Sequence, residues 1–184
     1  MKVYSVCGSL RERSTTSFAL DRALASANAA GASVVALSLR DFELPFCDGR
    51  ADPTTYGGDA QRLRERLLEA DALIIGSPEY HGSFTGALKN AFDLLGPGDL
   101  MRGKVIGLLA TASEDAGSMN TLSHLRHVFR WTQAWVLPQQ VSIPRAEQAF
   151  DADGRVIRDG LEGELTSLGR ELVRYAGLLF GDNG

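Results

Sequence analysis

Two runs of strand length, Ala72–Gly76 and Lys104–Ala110, are apolar almost without a break. A strand with one wet face alternates apolar and polar residues, so unbroken runs belong to strands covered on both faces, as in the middle of a parallel sheet. Three further β-favouring segments accompany them: Lys2–Val6, Ser33–Leu37, and a fifth strand beginning with Trp135–Leu137 that Pro138 is expected to limit. Stretches of helical spacing separate the strands. The first carries Phe18, Leu20, Ala23, Leu24 and Ala27 and stops at Gly31, and the second runs over Asp59–Glu69 with Leu63, Leu67 and Leu68 inward. A third spans Thr85–Leu95, with a Gly/Pro turn over 96–99 behind it, and a fourth spans Met119–Ala134, with Leu122, Leu125, Val128 and Phe129 on one side. The last has an apolar stripe at Leu161, Leu165, Leu168, Leu172, Tyr175 and Leu179. The segment through Pro45, Asp48 and Pro53 reads as a long surface loop, and 149–156 as a short hairpin or loop around Asp153 and Gly154.

Strand and helix thus alternate five times with no linker or repeat, which predicts an α/β fold: a three-layer α/β/α domain over 1–184 with a five-stranded parallel sheet in the order 2-1-3-4-5. In such a sheet the ligand crevice opens beyond the carboxyl ends of strands 1 and 3, where the winding direction reverses. A length of 184 residues suits one such domain.

Composition narrows the partners. The net charge is −4 and there is no basic stripe, so nucleic acid is not an expected ligand. No apolar run approaches the ~20 residues of a membrane span, and MKVYSVCGSL has no secretory features, so a cytoplasmic location away from membranes is expected. Cys7 and Cys47 form no CxxC pair, and Cys7 should pack as a small hydrophobe. The charges at Arg62, Arg64, Glu65 and Arg66 read as a solvated helix face. His124 and His127 stand three apart with no convergent thiol or carboxylate, so no metal site is expected. Trp131, Trp135 and Phe129 read as core or subunit interface.

The polar chemistry falls where the fold demands it. After the first strand, GSLRERSTTS crowds Ser9, Arg11, Ser14, Thr15, Thr16 and Ser17 at the entrance to a helix, whose unpaired N–H groups and positive end favour an anion. Hydroxyls and a guanidinium complete a nest for one phosphate. GxGxxG and GxxxxGK[ST] are both missing, which disfavours a pyrophosphate or triphosphate site. Ser14 taken alone is an ordinary helix cap; the cluster is what signals a ligand. After the third strand, SPEYHGSF places Pro78, Glu79, Tyr80, His81 and Gly82 on a turn whose backbone N–H groups are expected to face the crevice and border a flat ring with carbonyl and imide edges. The bland alternative is a plain loop into a helix capped by Ser83.

Those two segments, GSLRERST and SPEYHGSFTGALKNAFD, resemble the NADPH-dependent FMN reductase family, a flavodoxin-like group that includes chromate, quinone and azo-dye reductases. The resemblance covers about Lys2 to Val141. It implies that Ser9, Arg11, Ser14, Thr15 and Thr16 hold the phosphate of FMN, while Pro78, Glu79, Tyr80 and His81 border the isoalloxazine. A third loop, matching Thr111, Ala112 and Ser113, touches the ring in the family. Members usually carry Asn at the positions of Thr16 and His81 and glycines in the third loop, where TASEDAGS has only Gly117. The implied reaction moves a hydride from NADPH or NADH through FMN to a small acceptor, with no side chain acting as nucleophile. A homodimer or homotetramer is implied, with the third and fourth helices as plausible contact surfaces. The rivals are a flavodoxin-type electron carrier, against which the modest charge weighs, a receiver-like domain, whose acidic pair is replaced by Gly8 and Ser9, and a hydrolase using Ser77 or Ser83, which lacks a GxSxG elbow.

Overall fold

The computed structural model describes residues 1–96 and 99–180. Five strands, β1 (Lys2–Cys7), β2 (Ser33–Ser38), β3 (Ala72–Pro78), β4 (Val105–Thr111) and β5 (Trp135–Ile143), pair in parallel in the order β2-β1-β3-β4-β5. Five helices lie between and after them: α1 (Thr15–Ala29), α2 (Gly58–Leu68), α3 (Gly86–Asp93), α4 (Met119–Trp131) and α5 (Leu161–Phe180). The expected topology is the one observed. Side chains alternate across the central strands, so that Val3, Ile74 and Leu109 join α1 and α5 in one core cluster, while Val6, Ile75 and Leu108 join α2, α3 and α4 in the other. Among the described residues no helix is long and apolar enough to cross a membrane.

Local chemistry explains the element ends. Ser14 caps α1 by accepting the Thr16 N–H, and Gly31, at φ +95°, closes it where a side chain would be strained. α1 and α5 meet backbone to backbone: a Cβ added at Gly169 would lie 2.0 Å from the Ala23 carbonyl oxygen. The charge run of α2 does more than face water, since Arg62 stacks on Phe42 (4.5 Å) and Arg66 on Tyr4 (5.7 Å), closing the rim of the sheet. Phe129 is core and meets Phe92 edge-on at 5.2 Å.

Some expectations need correction. Pro138 does not end β5; the strand runs on to Ile143, and the pairing slips between Val136, opposite Ile106, and Gln140, opposite Leu108. β5 is an edge strand, where a missing N–H costs no ladder bond, and Arg126 pins the irregularity by donating to the carbonyls of Leu137 (2.7 Å) and Pro138 (2.9 Å). Leu68 faces solvent, because Leu63 and Leu67 already fill the inner face of α2. The α5 stripe continues through Ala176, leaving Tyr175 and Leu179 exposed. Trp131 and Trp135, 87% and 60% exposed, are not core residues. The long loop holds two 3-10 turns, Leu39–Asp41 and Pro53–Tyr56, and the 149–156 hairpin is closed by Phe150 and Val156. Of the expected turn over 96–99, Pro97 and Gly98 lie outside the described residues.

Candidate functional site

The loops after β1, β3 and β4 are stitched into one rim. Gly8 N–H donates to the Gly76 carbonyl (2.8 Å), Thr85 Oγ1 donates to the Gly8 carbonyl (2.7 Å), and Thr16 Oγ1 lies 2.7 Å from Thr111 Oγ1. Thr85 also caps α3 through the Leu88 N–H, so the cap of that helix is Thr85 rather than Ser83. Ser77 is fully buried and spends its hydroxyl inside the rim, accepting from Thr85 N–H and donating to the Pro78 carbonyl. Its burial removes it as a nucleophile. Ser83 Oγ lies 2.9 Å from His124 Nδ1, but His124 has no carboxylate partner among the described residues, so no acyl-transfer triad forms there. Among the described residues no cluster of metal-ligating side chains is present.

Within the rim lies a recess of about 50 Å³. That is about the room of one or two waters, enough for a single small anion. Nine of the eleven expected site residues line it: Ser9, Arg11, Ser14, Thr15, Thr16, Pro78, Glu79, Tyr80 and Ser113. His81 and Gly82 lie beyond the recess, at the tip of the turn. Ser9 and Ser14 are buried, Thr15 is half-buried, and Ser113 is exposed. The N–H groups of Thr15 and Ser17, in the first turn of α1, make no bond to the protein among the described residues and remain available to an anion. Thr16 is different: its N–H goes to Ser14 Oγ (3.2 Å) and its hydroxyl to Thr111, so both of its polar groups brace the loops.

The residues that the sequence reading missed are Ala146 and Glu147, which close the far side of the recess from the turn after β5. Ala146 N–H donates to the Ala112 carbonyl, and Arg145 enters the turn at φ +41°. Glu147 Oε1 stands 3.9 Å from Arg11 Nη1, with both side chains 70% exposed. A pair so wet contributes little stability, so Arg11 is held at the mouth yet free to turn inward. The available signal was topological, since the carboxyl end of the fifth strand must open on the same edge as the others.

The turn after β3 also differs from expectation. The amides of Glu79 and Tyr80 do not face the crevice: they donate to the carbonyls of Thr111 (2.7 Å) and Ser83 (2.8 Å). Those of His81 and Gly82 stay unbonded to protein among the described residues. Ser83 N–H returns to the Tyr80 carbonyl, and the two central residues have φ of +51° and +76°, the signs of a type I′ turn. Asn-Gly is the preferred pair for that geometry, and histidine is among the few other residues that enter it readily. The Glu79 carboxylate points to α4 and accepts the Thr121 N–H at 3.1 Å. Cys7, at the end of β1, is buried as expected, and burial pushes its thiol pKa up.

The sequence model of the NADPH-dependent FMN reductases matches residues 1–148, most of the chain and every part of this rim. The chain belongs to that family. An NAD(P)H-dependent FMN reductase of Pseudomonas aeruginosa is 31% identical over 163 residues, 86% of each chain. An NAD(P)H-dependent FAD/FMN reductase of Geobacillus thermodenitrificans is 37% identical over 105 residues, which is 57% of this chain and 56% of that relative. The family fold extends to more distant proteins. The flavoenzyme NAD(P)H:(acceptor) oxidoreductase FerB of Paracoccus denitrificans superposes with a TM-score of 0.76 at 20% identity, over 96% of this chain and 97% of that one.

Proposed function

We propose that this chain holds one FMN across the rim and uses it to carry a hydride from NAD(P)H to a small acceptor. The observation that carries the reading is the one-phosphate recess at the start of α1, facing a turn with two unbonded amides. Family membership supports it. Ser9, Ser14, Thr15 and the first-turn N–H groups of α1 would hold the phosphate, with Arg11 turning in from Glu147 to add charge-assisted bonds. Thr16 contributes by fixing the phosphate loop to the loop after β4. Pro78, Glu79, Tyr80, His81, Gly82 and Ser113 would border the ring, the His81 and Gly82 amides supplying donors to its polar edge. Bound FMN supplies the hydride chemistry itself, so no side chain need be a nucleophile or metal ligand.

The chain is read as one flavin-binding unit, cytoplasmic and independent of membranes and nucleic acid. Trp131, on the outer face of α4 beside a groove with Phe92 and Val128, favours a homodimer or homotetramer built on α3 and α4. A second recess, about 370 Å³ and lined by Leu10, Phe42, Leu44 and Phe46, adjoins the phosphate loop at Leu10 and bears no charged side chain. Its chemistry favours a neutral, planar organic acceptor over a metal oxyanion. Mixing the FMN-loaded protein with NADPH under anaerobic conditions tests the reading. Loss of the flavin's visible band within seconds is expected; bleaching only after a separate reductase is added would make the protein an electron carrier.

A further inference from the structure

Helix α4 begins without a cap of its own. Ser118 holds the N-cap position, yet its hydroxyl is buried, donating to the Ala110 carbonyl (2.7 Å) and lying 3.2 Å from Ser142 Oγ, and it makes no cap bond. The acceptor comes instead from across the crevice, where half-buried Glu79 takes the Thr121 N–H through Oε2. A carboxylate at that place is favourable, because a helix start carries roughly half a positive charge on its unpaired N–H groups. One further contact joins the same turn to the same helix, Ser83 Oγ with His124 Nδ1 at 2.9 Å. The ring-side turn therefore leans on the first two turns of α4 as well as on its own helix.

We propose that Glu79 is a positioning residue that locks the ring-side turn against α4 and masks the positive end of that helix from the flavin site. The proposal rests on the FMN reading above. Its consequence is electrostatic. Negative charge accumulates in the crevice when the bound ring is reduced, and an unmasked helix start would favour that charge, whereas the Glu79 carboxylate opposes it. Glu79 thereby sets how much more tightly the reduced flavin is held than the oxidised one.

The test compares the wild-type protein with Glu79→Gln and Glu79→Ala, measuring thermal unfolding of the apoprotein and the affinities for oxidised and dithionite-reduced FMN. The glutamine carbonyl still accepts the Thr121 N–H, so the apoprotein Tm should stay within about 2 °C of wild type, a shift worth less than the loss of a cap. The ratio of reduced to oxidised affinity should rise about threefold or more, where tenfold corresponds to about 30 mV for a two-electron couple. Alanine removes the acceptor and should lower the apoprotein Tm by about 2–4 °C. An unchanged ratio in Glu79→Gln overturns the masking role, and an unchanged apoprotein Tm in Glu79→Ala overturns the positioning role. If wild-type apoprotein takes up no FMN, the functional reading and the masking role both fail, while the Tm comparison still decides the positioning role.

Discussion

Charge reversal at Arg11 is expected to raise the Kd for FMN at least about a hundredfold. A hydrogen bond to a charged group contributes about 1.5–3 kcal/mol, and each 1.4 kcal/mol is about tenfold in affinity, so Arg11→Ala alone should cost about ten- to a hundredfold. Glutamate adds repulsion against a phosphate seated on the α1 N-terminus. The partner residue should behave oppositely. Glu147 stands 3.9 Å from Arg11 at the mouth of the recess and competes with a bound anion for the guanidinium. Glu147→Gln should therefore tighten FMN a few-fold, by up to the ~1 kcal/mol typical of an exposed ion pair. Quenching of flavin fluorescence on titration measures both.

The second large effect is structural. Gly169→Ala places a methyl group 2.0 Å from the Ala23 carbonyl oxygen and 2.9 Å from the Ala27 amide, both backbone atoms of α1 that no rotamer change can move. Helices packed this closely must separate, and overpacking of this severity should cost about 3 kcal/mol. For a chain of this size the Tm should fall by roughly 6–12 °C. Since α1 carries the proposed phosphate site at its N-terminus, FMN affinity should fall with it. The same substitution at Gly163, also in α5 but with nothing within 4 Å of the added Cβ, should instead stabilise by about 0.5–1 kcal/mol through helix propensity. Thermal unfolding of the two variants separates a packing requirement from a general intolerance of alanine in this helix.

The sheet and the place of the site could be read from the sequence because both depend on periodicity and on the order of elements. Nearly unbroken apolar runs at Ala72–Gly76 and Lys104–Ala110 point to central strands, and the switch-point rule then puts chemistry after Val6 and after Gly76. What escaped depends on three-dimensional neighbours. Pro138 reads as a strand terminator until β5 is known to lie at an edge with Arg126 beside it. Tyr175 and Leu179 continue a sound apolar stripe, yet both are exposed while Ala176 takes the buried place. Gly169 looks like a weak point in a helix, whereas it lets the α1 and α5 backbones approach closely. At the candidate site, the gathering of Ser9 and Ser14 into one recess was legible, while the place of Glu147 was not, because it arrives from a turn remote in sequence. Glu79 was expected at the ring edge; it lines the recess, but its carboxylate serves α4, a partnership 42 residues away that no local pattern encodes.

The most direct measurement is a titration of the flavin-free protein with FMN and, separately, with riboflavin, which differs only in lacking the phosphate. A recess built for one phosphate should bind FMN at least about a hundredfold more tightly, the worth of about 3 kcal/mol of charge-assisted bonding. Equal affinity for the two flavins, or no uptake of either, would contradict the account.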